Sequence, residues 1–180
     1  DRLFSDPTFY QELPSNFRIV IGADLAYTAK ARADHSAVVV YAVAGDQWFV
    51  RHVERWQGDI NRSLQILERI RTTYGNTAIA VEANGPQKAV ADMLEARRIT
   101  VKRVNRVSDK YAEAQAFAEA WNSGRVLVPE SAPWLSDFLE ELGNFTGIND
   151  ATDDQVDAAV NGYEAHPGVG MRRYSGGGRK

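Results

Sequence analysis

Acidic side chains are concentrated in the segment NDATDDQVDAAV, which spans residues 149–160. Four aspartates share eight positions of it: Asp150, Asp153, Asp154 and Asp157. The formal net charge of the whole chain is only −3, so this concentration is local. Carboxylate oxygens are the ligands that Mg²⁺ and Mn²⁺ prefer, and a bound cation would relieve the repulsion among them. The segment is therefore a candidate for metal binding.

A structural interpretation of the same segment competes with metal binding. Thr152 and Gln155 fit a capping box at the start of a helix, and the helix dipole favours aspartates in the first turn. Capping would account for Asp153 and Asp154. It would not account for Asp157, which lies one turn further along and shares a helix face with Asp153.

Two further acids follow apolar runs that are typical of buried strands. Asp24 ends RIVIGAD, and Glu82 follows AIAV. If the strand ending at Glu82 lies parallel beside the strand ending at Asp24, both acids emerge at the same sheet edge. A late helix beginning near Asp153 could add a third acid there. Acids from three parts of the chain would make a site for Mg²⁺ or Mn²⁺ that leaves room for water and a phosphate.

Basic residues provide candidate phosphate contacts. Arg106 and Lys110 follow the strand TVKRVN and are expected beside the acids. Weaker candidates lie in that strand and in the polar connection after Asp24: Lys30, Arg32, Lys102 and Arg103. In the same loop, Asp34 either orients the metal ligands without binding the metal itself or simply starts the next strand. His35, which follows it, is a minor candidate for proton transfer.

The elements that position these residues can be read from hydrophobic periodicity. Three strands in a meander are followed by alternating helices and strands, in the order β-β-β-α-β-α-β-α with further C-terminal helices. This order predicts an α/β fold with a mixed central sheet, three antiparallel strands followed by parallel ones, and helices on both faces. Residues 1–17 are expected to form an arm or linker, residues 18–166 the domain, and residues 167–180 a Gly- and Arg-rich disordered tail.

Composition excludes several classes of protein. The 180 residues are 44% apolar, which suits one soluble domain, and contain no cysteine for disulfides or thiolate metal sites. No apolar run is long enough to span a membrane, and no signal-peptide pattern is present. The GxxxxGK[ST], GxSxG, HExxH and GxGxxG motifs are all absent, so the corresponding nucleotide, hydrolase, zincin and dinucleotide sites are not expected.

Taken together, four segments resemble the C-terminal nuclease domain of bacteriophage large terminase subunits. They are IGADLAYTAKARADHSAVVV, IAVEANG, VNRVSDKYAEAQAFAEAWNSGRVLVP and TDDQVDAAV, within residues 17–163. The resemblance implies a ribonuclease H-like fold and a metal-dependent endonuclease that cuts concatemeric double-stranded DNA during genome packaging. It also implies two Mg²⁺ or Mn²⁺ ions, an ATPase motor domain elsewhere in the same subunit, and work with the portal and the small terminase subunit. The expected location is the cytoplasm of an infected bacterial host.

Carried onto this sequence, the resemblance assigns metal ligation and catalysis to Asp24, Glu82 and the segment DDQVDA. Within that segment Asp154 ranks first and Asp157 second, and Asp153 is a neighbour able to substitute. Many relatives have histidine where Thr152 stands, so a histidine ligand is not expected here. Two other classes remain open: a junction resolvase or RNA–DNA hybrid nuclease with the same acids, and a non-catalytic nucleic-acid-binding module on the same fold.

Overall fold

A computed structural model of the chain describes residues 2–26, 34–106 and 108–166. The strands are β1 (Thr8–Tyr10), β2 (Arg18–Asp24), β3 (His35–Ala44), β4 (Gln47–Gln57), β5 (Ile79–Glu82), β6 (Val101–Val104) and β7 (Val126–Pro129). The helices are α1 (Ile60–Tyr74), α2 (Gln87–Ala96), α3 (Lys110–Asn122), α4 (Leu135–Asn144) and α5 (Asp154–Glu164).

The seven strands form one mixed sheet in the order β1-β7-β4-β3-β2-β5-β6. β2, β3 and β4 pair antiparallel, as the meander predicted, and β5 and β6 continue the sheet in parallel from β2. The expected parallel pairing of the strand ending at Glu82 with the strand ending at Asp24 is confirmed. The mixed fold predicted from the sequence is therefore confirmed.

Helices cover both faces of this sheet. One face packs against α1 and α2 around Leu67, Ile70 and Leu94, and the other against α3, α4 and α5 around Phe117, Trp121 and Phe138. Alternate residues of β3 point into the two layers, since Val38 belongs to the first and Val39 to the second. Both layers are apolar and buried, so the central strands are hydrophobic throughout.

The segment expected to be an arm contributes to the domain. Phe4 is 2% exposed and packs edge-on against Phe117 and Trp121, while the Trp121 indole donates a hydrogen bond to the Ser5 carbonyl at 2.9 Å. Strand β1 pairs in parallel with β7. The folded unit thus begins before residue 18. Residues 167–180, the expected tail, lie outside the described residues.

None of the helices in the described ranges combines the length and the apolar character that crossing a membrane requires.

Candidate active site

The site is built on an unusually close contact between α5 and β2. A methyl group added at Gly22 would lie 2.1 Å from the Ala158 carbonyl oxygen and 2.4 Å from the Gly162 nitrogen. A methyl group at Gly162 would lie 2.9 Å from the Tyr41 ring. Only glycine lets the two backbones approach this closely, so this pair of glycines fixes the height of α5 above the sheet.

Two polar side chains fix the position of α5 along the strand. The Asn161 amide donates to the Ala23 carbonyl at 2.9 Å, and the Tyr41 hydroxyl donates to the Ala159 carbonyl at 2.7 Å. Asp157 precedes Asn161 by one helical turn, and Asp24 follows Ala23 in β2. The same bonds that hold the helix therefore bring Asp157 to the end of β2, where Asp24 lies.

Glu82 lies at the same edge of the sheet. Ile21 pairs with Ile79 and Gly22 with Ala80 in the parallel ladder, and the same register, continued by two residues, aligns Asp24 with Glu82. The structure thus brings β5 and β2 together at their carboxyl ends, as expected from the topology.

Burial and mutual repulsion raise the pKa values of the acids on β2 and α5. Burial raises the pKa of Asp24 well above its ordinary value, and the charges of Asp157 and Asp154 raise it further. The pKa of Asp154 is also raised, mainly by burial, although Arg55 opposes this shift. Negative charge at this edge is therefore incompletely neutralised by the protein, which is the condition that a bound cation would relieve.

Basic side chains neutralise part of this charge. Arg106 Nη1 lies 3.4 Å from Asp157 Oδ1, and Arg106 Nη2 donates to the Asn161 side-chain oxygen at 2.6 Å. Lys110 donates to Asp157 at 2.8 Å and also pairs with Asp153. Burial raises the pKa of Asp157, while Arg106 and Lys110 pull it down. Burial alone would lower the pKa of Lys110, but Asp157 and Asp153 raise it.

A third basic residue at the site was not predicted from the sequence. Arg55 of β4 lies 3.4 Å from Asp154 Oδ2. It reaches the site because Asp24 pairs with Ala37 of β3, and Ala37 pairs with Arg55 of β4. The three residues form a row across the sheet on the face that α5 covers.

As the side chains are arranged, no three histidine, cysteine, aspartate or glutamate residues of the described ranges lie close enough together to hold a metal ion. The α5 carboxylates bond to Lys110, Arg106 and Arg55 instead. Hard carboxylate oxygens with raised pKa values nevertheless fit the chemistry of a divalent cation. Coordination would require these ion pairs to rearrange.

The remaining predicted residues are dispersed. Arg103 is bound to α2, where it pairs with Asp92 at 2.6 Å and Glu95 at 3.2 Å. Lys102 is exposed on β6, and Asp34 is exposed before β3. His35 begins β3 close enough for its charge to lower the pKa of Asp154. Lys30 and Arg32 lie outside the described residues.

The predicted capping box is wrong. Asp153, not Thr152, is the N-cap of α5, and its side chain makes no capping hydrogen bond. The Gln155 side chain is buried and donates to Glu141 of α4 at 2.7 Å. Gln155 has the capping-box spacing in the sequence. In the structure its side chain bonds to the buried carboxylate of Glu141 and not to the start of its own helix.

Sequence reasoning missed Arg55, Glu141, Asn161 and the glycine pair. Isolated glycines inside a strand and a helix were the available signal, since such glycines often mark a close backbone approach. Asn161 lies one turn after Asp157, a spacing that indicates a shared face. Nothing in the local sequence around Arg55 or Glu141 indicates which residues they contact.

The mixed seven-stranded sheet with helices on both faces is that of a ribonuclease H-like domain. The chain belongs to the terminase RNase H-like domain family, whose model matches residues 21–166. The predicted resemblance is confirmed. No curated protein sequence is similar enough to this chain to count as a match.

Solved terminase nuclease structures share the fold. The large terminase nuclease domain of Thermus phage P74-26 is 18% identical, with a TM-score of 0.68 over 89% of this chain and 90% of that one. The nuclease of thermophilic phage G20c with bound zinc is 20% identical, with a TM-score of 0.68 over 89% and 93%. The human cytomegalovirus terminase nuclease domain is 17% identical, with a TM-score of 0.59 over 86% of each chain.

Proposed function

We propose that this domain is a Mg²⁺- or Mn²⁺-dependent endonuclease that cuts double-stranded DNA as part of a large terminase. The observation that supports it most directly is the electrostatic coupling of Asp24 on β2 with Asp154 and Asp157 on α5. Acids that repel one another weaken a fold unless they bind something positive. Structures of the G20c nuclease with bound zinc, cobalt or magnesium support a divalent cation.

Each residue has a distinct part in this proposal. Asp24, Glu82, Asp154 and Asp157 ligate the metal ions, and Asp153 is a neighbouring substitute ligand. When bound, two such ions activate a water for in-line attack on the phosphodiester and stabilise the leaving 3′ oxygen. Lys110 and Arg106, released from the carboxylates, contact DNA phosphates. Arg55 orients Asp154 through its ion pair.

The biological setting is also part of the proposal. This chain matches 43% of the large terminase of thermophilic bacteriophage D6E, at 12% identity and a TM-score of 0.68. The proposed partners are therefore concatemeric viral DNA, an ATPase domain of the same subunit, the portal and the small terminase subunit. The proposed location is the cytoplasm of the infected bacterial host.

The experiment compares plasmid cleavage in Mn²⁺ by the wild type, Asp24→Asn and Asp137→Asn. Asp137 is an exposed aspartate of α4 and serves as a control for the loss of one carboxylate. We expect nicking and linearisation by the wild type and Asp137→Asn, and loss of both products in Asp24→Asn. Full cleavage by Asp24→Asn would exclude the proposed metal site.

Substrate comparison separates this function from the related nucleases. A terminase nuclease should cut linear duplex at least as well as a four-way junction or an RNA–DNA hybrid. A strong preference for the junction or the hybrid would favour the resolvase or hybrid-nuclease alternative. Duplex binding without cleavage in either Mg²⁺ or Mn²⁺ would favour a non-catalytic binding module.

A further inference from the structure

Helix α5 carries the acids of the proposed site but lacks a local cap. Its first backbone N–H groups have no partner inside the helix, and a side chain at the N-cap position usually accepts from them. The N-cap residue Asp153 makes no such bond and pairs with Lys110 instead. A separate acceptor must therefore satisfy the start of α5.

Glu141 of α4 supplies that acceptor. Its Oε1 accepts from the backbone nitrogens of Gln155 at 2.7 Å and Val156 at 2.9 Å. Its Oε2 accepts from the Gln155 side-chain amide at 2.7 Å. Glu141 is 3% exposed, and among the described residues it has no basic partner within ion-pair distance. These three hydrogen bonds are therefore what stabilises its buried carboxylate.

We propose that Glu141 is a positioning residue that caps α5 from another helix and thereby leaves Asp153 and Asp154 free to face the proposed metal site. If Asp153 capped its own helix, its carboxylate would turn back toward the backbone and away from Lys110. Because Glu141 of α4 supplies the cap, the carboxylates of Asp153 and Asp154 are both available to the proposed metal site. The position of that turn is then fixed by Glu141 at its start and by Asn161 and Gly162 further along.

The hydrogen bonds of Glu141 go to Gln155 and Val156 and not to the carboxylate oxygens of the proposed ligands. Glu141 would affect metal binding and cleavage indirectly, because it holds the first turn of α5 in position. Outer groups that orient ligands typically change metal affinity by about 10-fold to 100-fold when they are removed. The inference rests on the proposed function, since it concerns the same metal site.

The test compares the wild type, Glu141→Ala, Glu141→Gln and the control Glu140→Gln, all at a temperature at which each is folded. Glu140 is the exposed neighbour of Glu141 on α4. Mn²⁺ binding is measured by electron paramagnetic resonance titration, and amide hydrogen exchange is measured at Gln155 and Val156 without metal. Plasmid cleavage is measured alongside as a function of Mn²⁺ concentration.

We expect Glu141→Ala to expose both amides to exchange and to weaken Mn²⁺ binding about tenfold. Because every variant is compared at a temperature at which it is folded without metal, partial recovery of its cleavage by excess Mn²⁺ should report weakened metal binding and not refolding. Glu141→Gln keeps an oxygen that can accept from the two amides, so we expect a smaller loss than in Glu141→Ala. Glu140→Gln should match the wild type in all three measurements.

Wild-type amide protection and wild-type Mn²⁺ affinity in Glu141→Ala would overturn the inference. If Glu141→Ala does not fold, Glu141→Gln decides: we expect at least a twofold loss of Mn²⁺ affinity, and wild-type exchange and affinity would overturn the inference. A wild-type protein that neither binds Mn²⁺ nor cuts DNA would instead refute the proposed function, and the positioning role with it.

Discussion

The contact between α5 and β2 has two ends of opposite character. At one end, Gly22 and Gly162 bring two backbones together with no room for a methyl group. At the other, about one helical turn away, burial of Asp24 and then the charges of Asp157 and Asp154 raise the pKa of Asp24. One end is tightly packed and uncharged, and the other is acidic and under electrostatic strain.

The difference shows how the fold can keep like charges together. Carboxylates on a mobile loop could move apart, but α5 cannot shift away from β2 without breaking the glycine contact and the Asn161–Ala23 hydrogen bond. The packed end therefore holds the acidic end in place. Stability lost at the acids is a cost that functional sites commonly carry.

The largest effect is expected at the packed end. Gly22→Ala places a methyl group against backbone atoms of Ala158 and Gly162, which cannot rotate away as a side chain could. We expect the free energy of unfolding to fall by about 4 kcal/mol, above the usual range for overpacking. Urea denaturation followed by circular dichroism measures it.

The control for this prediction is Gly143→Ala in α4, where an added methyl group meets nothing within 4 Å. Alanine is the better helix former, so we expect unchanged or slightly raised stability there. Equal losses in the two variants would show that the packed end does not have the close approach described above.

The second largest loss of stability is expected on removing Arg106, which contacts both the acidic end and the packed end of the α5–β2 contact. Arg106 bonds to Asp157 near the acids and to Asn161 near the glycine contact, and only 7% of its side chain is exposed. Arg106→Ala would leave a buried carboxylate with less compensation, which typically costs about 3 kcal/mol. Thermal unfolding in the absence of metal measures this loss.

Asp157→Asn provides the matched test of the Arg106 interaction. If the less compensated charge of Asp157 causes the loss, Arg106→Ala should cost clearly less in the Asp157→Asn background than in the wild type. Equal losses in both backgrounds would assign the effect of Arg106 to its hydrogen bonds with the Asn161 side chain and the Asp157 carbonyl.

The third effect is a gain of stability at the acidic end. Because the folded-state pKa of Asp24 is raised, its carboxyl group contributes most to stability below its unfolded pKa, near 3.8, and that contribution is lost as the pH rises through the folded pKa. Without metal, Asp24→Asn should therefore raise the free energy of unfolding at pH 8, by about 1 kcal/mol.

The pH dependence distinguishes this cause from a general effect of the substitution. The gain in Asp24→Asn should shrink as the pH falls toward 4, where the wild-type carboxyl group is protonated. Denaturation of both proteins across this pH range measures the difference. A gain that stays constant with pH would contradict the raised pKa of Asp24.

The sequence predicted the acidic end better than the packed end. Asp24, Glu82, Asp154 and Asp157 were predicted as ligands because carboxylates after strands and the acidic helix segment DDQVDA favour a metal site. The placement of Asp24 and Glu82 at one edge of the sheet followed from the parallel pairing of β5 with β2. Local patterns were sufficient for this because strand ends and helix faces are set by periodicity.

The contacts that fix α5 could not be predicted in this way. Arg55 and Asp154 are 99 residues apart, and Asn161 and Ala23 are 138 residues apart. Contacts at such separations depend on the final packing of layers, which no local pattern specifies. The capping box failed for the same reason, since Glu141 on α4 competed for the start of α5 and replaced the local interaction.

The smallest effect is expected at Arg103, and it bears on how DNA approaches the acidic end. Arg103 and Arg106 follow one another closely at the end of β6, yet Arg103 pairs with the exposed acids Asp92 and Glu95 of α2 while Arg106 bonds to α5. Exposed ion pairs contribute little to stability. Arg103→Ala should therefore leave both the melting temperature and plasmid cleavage close to those of the wild type. A large loss of cleavage in Arg103→Ala at low salt, reversed at high DNA concentration, would instead extend the DNA-binding surface from the acids onto α2 and restore the role that the sequence first indicated for Arg103.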